Sequence, residues 1–283
     1  MYWVYMSKIN VFIAGGCSFT FGHELSDNLN GRTPSMKTWA HGLYEGYKYP
    51  GTIYHYELAA TPGTGNPGIA RRVFKAVAEA HKNPEQNIEA VVVMWSFNSR
   101  YDWAMPRHRD LEDTRWATIS PWDTSMRDQE RHKALANSEI QQAQWKTRQE
   151  LMIETGVKPF AEAIYKHAAN EYHETYLSWK SIIWLQNILE KKGIKYMFTL
   201  ADNSLFYKDF AHHKDQDRLM SALHDEIDLT KWFSFGERMM GFNQWAALND
   251  YERGTTHPLD KAHEDAVKLM MPTYKKIKGG VRS

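Results

Sequence analysis

The sequence predicts an α/β fold in which helices cover both faces of a doubly wound parallel sheet. Two apolar runs, 10–16 and 89–97, are short and continuous, as is typical of strands buried on both faces. Between them, residues 68–81 place apolar side chains at helical spacing. Strands that alternate with helices favour a parallel sheet. The length of 283 residues suits one large domain that carries an insertion.

The remaining elements follow in the same alternating order. Further strands are predicted at 52–59 and 194–202. Further helices are predicted at 36–46, 174–193 and 257–277. Gly193 gives the second of these helices a C-terminal cap. Pro258 opens the last helix, and an interruption is expected near Pro272.

Residues 101–170 break this alternation. They contain no clear strand, carry several tryptophans, and form one predicted helix at 138–156. We interpret 1–283 as a single domain in which 101–170 is an insertion that packs over an edge of the sheet or over its C-terminal face. Tryptophans in such a segment more often pack it onto a core than stack on sugar rings.

Composition excludes several classes of function. There are 35 basic and 34 acidic residues, so the net charge of +1 gives no reason to expect nucleic-acid or membrane partners. Cys17 is the single cysteine, which rules out an internal disulfide and multi-cysteine zinc sites. No apolar run could span a bilayer and no signal peptide is evident, so a cytoplasmic protein is expected.

Polar residues follow each predicted strand. Ser18 follows the first strand, the turn 61–66 the second, Asn98 the third and Asp202 the fourth, while His257 precedes the last helix. Ligands of open parallel sheets bind at the carboxyl ends of the strands, so these groups are expected to meet. A serine needs a base, most often histidine, to become a nucleophile, and the oxyanion that it generates needs preorganised donors.

Other roles remain open for the same residues. Ser18 could cap a helix and Asn98 could hold its own loop. Cys17 is expected to be a small buried residue rather than a nucleophile. Gly63 or Gly65 could serve the turn alone, or could donate an amide to an oxyanion, with Gly63 preferred. No histidine pair has H-E-x-x-H spacing and no P-loop occurs, so no metal or cofactor is expected.

Four short motifs resemble the SGNH (GDSL-like) hydrolases. "GCSFTFG" is similar to the first block, G-D-S-x-x-x-G, with Cys17 in the Asp position. "PGTGN" and "SFNS" resemble the second and third blocks, and "GTTHP" resembles the last, D-x-x-H. The combination looks most like the SGNH-like proteins of tailed bacteriophages, which also admits a virion location. The resemblance implies a three-layer α/β/α sandwich with a flavodoxin-like sheet.

The resemblance also implies residue roles. Ser18 would be the nucleophile and His257 its base, while the Ser18 amide, Gly63 or Gly65, and Asn98 would hold the oxyanion. The implied activity is hydrolysis of a small or carbohydrate O-acyl ester by an esterase or acetylhydrolase. The alternative is a weakened SGNH-like binding or structural protein of an assembly. No oligomeric state is implied.

One departure concerns the acid that orients the histidine. The family places Asp three residues before the histidine, where this chain has Gly254. The carboxylates that could orient His257 instead are Asp250, Glu252 and Asp202. The alternatives are a backbone carbonyl as the orienting group, a Ser-His dyad, or loss of activity.

Overall fold

The computed structural model describes residues 8–28, 31, 33–105, 116–127, 139–207 and 217–279. Its main sheet has four parallel strands in the order β2-β1-β3-β6. The strands of the chain are β1 (Ile9–Gly16), β2 (Tyr54–Ala60), β3 (Gln86–Trp95), β4 (Tyr101–Ala104), β5 (Trp116–Ile119) and β6 (Tyr196–Leu200). This flavodoxin-like strand order confirms the predicted fold class.

Helices connect these strands. In chain order they are α1 (Ser18–Phe21), α2 (Trp39–Glu45), α3 (Asn66–Lys82), α4 (Glu139–Glu154), α5 (Val157–His167), α6 (Glu171–Lys191), α7 (Ser204–Tyr207), α8 (Arg218–Asp225), α9 (Phe242–Leu248) and α10 (Asp260–Lys278). The four predicted sheet strands and the five predicted helices are confirmed, with ends shifted by a few residues.

Two positions of β1, Phe12 and Gly15, show how the three layers form. Phe12 contacts Tyr44 of α2 and Tyr274 of α10, with ring centroids 5.8 and 5.9 Å apart. Gly15 points to the opposite face, where Val73 of α3 occupies the space that a Cβ would need. Because side chains alternate along a strand, α2 and α10 lie on one face and α3 on the other. Helix α6 packs against α3.

The insertion differs from its prediction in one respect. Residues 101–104 and 116–119 form a two-stranded antiparallel sheet, so the expectation that 101–170 holds no strand is wrong. Each strand has four residues, too few for the alternation that identifies a strand in sequence. The predicted helix at 138–156 is present as α4. A small core of the insertion is formed by Tyr101, Ile119, Met152, Val157 and Ala161.

The insertion is tied to the main layers through α3. Arg71 of α3 pairs with Asp102 at 3.0 Å, and its guanidinium lies 4.4 Å from the ring of Trp116. The described part of the insertion therefore packs beside the helix that starts at the C-terminal edge of the sheet.

Helix α10 is continuous through Pro272, so the expected interruption is absent. Met270 and Tyr274, on either side of the proline, are buried, and this packing holds the helix in one piece. Pro258 lies before the helix, in a bridge with Arg253. None of the helices in the described part of the chain has the length and apolarity that crossing a membrane requires.

Candidate active site

The turn after β1 places Ser18 at the carboxyl edge of the sheet. Gly16 ends the strand, and a Cβ there would overlap the Thr20 hydroxyl and approach the Met94 carbonyl oxygen to 3.2 Å. Glycine therefore allows α1 to start directly against β3. Cys17 is fully buried in the core, while Ser18 begins α1. The expectation of a buried Cys17 is confirmed.

Ser18 and His257 lie within hydrogen-bond distance. Ser18 Oγ is 2.7 Å from His257 Nε2, although 239 residues separate them in sequence. The imidazole ring packs edge-on against Phe19 and His23, at centroid distances of 4.8 and 5.3 Å. The ring is thereby held with one nitrogen toward the serine, as a general base for the hydroxyl requires.

The second ring nitrogen of His257 contacts Glu24. Nδ1 is 2.9 Å from Glu24 Oε2, and only 11% and 7% of the two side chains are exposed. An ionised carboxylate only accepts hydrogen bonds, so this contact favours the tautomer with the proton on Nδ1 and the lone pair of Nε2 toward Ser18. The shared contact thus sets the tautomer that a base needs.

This contact corrects the carboxylates put forward from sequence. Asp202 accepts a hydrogen bond from the Ser204 amide at 2.8 Å, at the start of α7. Asp250 lies exposed in a turn with φ of 54°, and Glu252 is exposed as well. None of the three makes a described contact with His257. Asp250 and Glu252 are close to the histidine in sequence, but the carboxylate that contacts it comes from the other end of the chain.

A sequence signal for Glu24 does exist. It lies six residues after Ser18, in "GHELSD" (22–27), directly behind the short helix that carries the serine. In the structure this position brings its carboxylate to the same imidazole that Ser18 contacts. Glu24 lies neither close to His257 in sequence nor directly after a predicted strand, so neither criterion selects it.

The oxyanion candidates differ in how accessible they are. Gly63 has φ of 81° and open space where a Cβ would be, whereas a Cβ on Gly65 would lie 2.8 Å from the Arg100 carbonyl carbon. Neither amide donates a hydrogen bond to the described residues. The Ser18 amide opens α1, where helical N–H groups lack intrahelical acceptors. Gly63 is partly exposed whereas Gly65 is buried, which favours Gly63 as the donor.

Asn98 is buried, and one end of its side-chain amide makes a hydrogen bond. Its Nδ2 lies 3.2 Å from the Thr175 hydroxyl, and its Oδ1 has no partner among the described residues. Only the partners distinguish the two ends of an amide, and Thr175 can donate as well as accept. With the ends exchanged, Thr175 donates to the oxygen and the NH₂ group becomes the end available to another acceptor.

Asn66 also lies at the carboxyl edge of the sheet, and the sequence alone predicts no function for it. Its amide both accepts from the Ser96 amide at 2.8 Å and donates to the Ser96 carbonyl at 3.1 Å. It also donates to Ser178 of α6. This side chain joins the start of α3 to the end of β3, and so fixes the segment that carries Asn98.

His23, Glu24 and His257 also bring three possible metal ligands within 4.8 Å of one another. A neutral imidazole that bound a metal through Nδ1 would carry its proton on Nε2, which faces Ser18. Metal binding there and a base role for His257 exclude each other. The Glu24 oxygen that faces the ring already accepts from the amides of Thr256 and His257, both at 2.9 Å.

No protein-family model and no curated protein matches this chain. Among solved structures, it is similar to a psychrotrophic esterase from a Pseudoalteromonas species, with 9% identity, a TM-score of 0.43, and coverage of 94% of this chain and 97% of that one.

Two further structures are similar at the same level. A putative G-D-S-L lipolytic protein from Desulfitobacterium hafniense has 9% identity, a TM-score of 0.44, and coverage of 93% and 99%. A catalytic mutant of an acetylxylan esterase from Geobacillus stearothermophilus has 10% identity, a TM-score of 0.40, and coverage of 98% and 99%. At these identities and TM-scores the likeness does not indicate an activity.

Proposed function

We propose that this protein is a serine ester hydrolase of the SGNH type that acts on a small or carbohydrate O-acyl ester. The observation that carries the proposal is the 2.7 Å contact between Ser18 Oγ and His257 Nε2 at the carboxyl edge of a parallel sheet. Its setting supports the proposal, because both side chains are largely buried and donors without described partners lie on neighbouring turns.

The chemistry follows from the two side chains. Ser18 Oγ bonds to the ester carbonyl carbon, its proton moves to His257 Nε2, and the carbonyl electron pair moves onto oxygen. The Ser18 amide, the Gly63 amide and the Asn98 amide group stabilise that oxyanion. The ester C–O bond then breaks as the leaving alkoxide takes the proton from Nε2. Water repeats the sequence on the acyl-enzyme and releases the acid.

The alternative function, a weakened site used for binding or assembly, is favoured by Ser96 and Ser99 in the third block and by the aromatic insertion. A further ground is Gly254 in place of an acid. The Glu24 contact removes that ground, because His257 has a carboxylate partner at 2.9 Å. From the resemblance to phage proteins, we also propose that the protein acts in a host-cell cytoplasm or in a virion.

Ester kinetics test the proposal. Wild type should hydrolyse a short-chain p-nitrophenyl ester, and Ser18→Ala and His257→Ala should each lower kcat/KM by about 10⁴-fold or more, as losses of such groups do in serine proteases. Asp202→Asn is the matched control and should leave the rate unchanged. Folded wild type that gives no turnover with acetyl or butyryl esters would contradict the proposal.

A further inference from the structure

The space beside Gly254 is filled by Glu24. A Cβ added at Gly254 would lie 3.0 Å from Glu24 Oε2, 3.1 Å from its Cδ and 3.2 Å from its Cβ. Gly254 is the position at which the hydrolases that this sequence resembles carry their acid. The Glu24 side chain thus enters, from the opposite end of the chain, the volume that a side chain at 254 would enter.

The backbone of Glu24 is in an unusual conformation. Its φ is 71°, in the left-handed region that residues other than glycine seldom adopt. Gly22, with φ of 78°, ends α1 just before it, so the chain reverses there. A residue held in such a conformation points to a requirement for its side chain, and functional sites are where such residues cluster.

The Glu24 carboxylate is surrounded by donors from one loop. The amide of Thr255 donates to Oε1 at 3.0 Å, and the amides of Thr256 and His257 donate to Oε2 at 2.9 Å. Three consecutive amides therefore converge on the group that also contacts His257 Nδ1. The same carboxylate fixes the backbone that carries the histidine and the orientation of its ring.

We infer that Glu24 is the positioning acid of the Ser18–His257 pair, supplied from the segment behind the nucleophile in place of an acid at position 254. The inference rests on the proposed function. Glu24 acts through His257: it holds the proton on Nδ1 and stabilises the imidazolium that forms when Nε2 takes the serine proton.

Moving the acid between the two positions tests the inference. Glu24→Gln should lower kcat by about 10²- to 10⁴-fold with KM within about 3-fold of wild type. Gly254→Asp alone should also lower kcat, because it crowds a second carboxylate against Glu24. The double variant Glu24→Ala/Gly254→Asp should recover at least about 10-fold over Glu24→Ala. Asp250→Asn is the matched carboxylate control and should match wild type.

A double-mutant cycle separates positioning from a purely structural role. The rate of labelling by a fluorophosphonate probe is measured for Glu24→Gln, His257→Ala and their combination. If Glu24 acts through His257, the combination should be no slower than His257→Ala alone, whereas a structural contribution would add its own loss. Thermal unfolding of each variant shows that it is folded.

The outcomes are distinct. A folded Glu24→Gln with wild-type kcat would overturn the inference, as would a folded double variant no faster than Glu24→Ala. If Glu24→Ala does not fold, the Glu24→Gln kinetics and the cycle decide alone. Wild type that neither hydrolyses esters nor reacts with the probe would instead overturn the proposed function itself.

Discussion

Ser18 and Cys17 are neighbours with opposite environments. Cys17 is fully buried, while Ser18 Oγ reaches His257 across the edge of the sheet. A buried thiol behaves as a small apolar side chain, and its reactivity requires a thiolate with access to the reagent. These two environments support the proposal that the nucleophile is the hydroxyl and not the thiol.

Thiol chemistry checks this assignment. Cys17 should not react with DTNB in the native protein and should react fully in urea, since its side chain has no exposed surface. Cys17→Ala should keep kcat within about 3-fold, because the thiol makes no contact with the reacting groups. Rapid native modification that abolishes turnover would reverse the assignment, particularly if Ser18→Ala remained active.

At the scale of elements, α10 and α2 meet at a buried histidine. His263 of α10 is 1% exposed, and its Nδ1 accepts a hydrogen bond at 3.1 Å from the amide of Trp39, the first residue of α2. The ring can accept there only while it is neutral. Burial, with a smaller repulsion from His257, lowers the pKa of His263 to about 3.

Acid should therefore weaken the packing of these helices. The unfolded chain binds a proton at His263 below about pH 6.5 and the folded protein does not until about pH 3, so the free energy of unfolding falls as the pH falls through that window. This group alone should cost about 2 kcal/mol between pH 7 and pH 5.

Urea unfolding followed by tryptophan fluorescence at pH 7 and pH 5 measures this effect. His263→Asn offers Trp39 an acceptor that does not titrate, so it should lose less stability on acidification than wild type. His55→Gln, at a half-exposed side chain, should behave as wild type. Equal pH dependence in His263→Asn and wild type would show that His263 is not the source.

Elements that follow from the local sequence pattern can be predicted, whereas elements that depend on tertiary contacts cannot. The strands 10–16 and 89–97 and the helix 68–81 follow from spacing within a few residues, so they could be predicted. The strands β4 and β5 could not, since four-residue segments show too little periodicity and are stabilised by pairing with each other. Continuity of α10 through Pro272 likewise depends on packing that the sequence does not reveal.

In the candidate site, too, some residues can be predicted from the sequence and others cannot. The position of Ser18 after a strand and of His257 before the last helix predicts that the two meet at one edge of the sheet, and their roles as nucleophile and base are what the family resemblance implies. The contact between Glu24 and His257 joins residues 233 apart, and no local rule selects that pair. In the sequence, Gly254 stands where the similar hydrolases have an acid. In the structure, the Glu24 side chain occupies the space that a side chain at position 254 would need.

At the scale of the whole molecule, the site exists only when the layers are assembled. Ser18 and Glu24 come from the end of β1 and the turn behind it, Asn98 from the end of β3, and His257 from the loop before α10. Asn66 pins α3 to β3 nearby. Loss of the fold should therefore remove the reactivity of Ser18 at the same time.

The central claim is that the folded protein holds Ser18 as a nucleophile activated by His257, and the site of fluorophosphonate labelling tests it most directly. Intact mass and peptide mapping should show one adduct, on Ser18, absent from Ser18→Ala and formed at least about 10²-fold more slowly in His257→Ala. Folded wild type that gains no adduct, or an adduct that persists in Ser18→Ala, would contradict the claim.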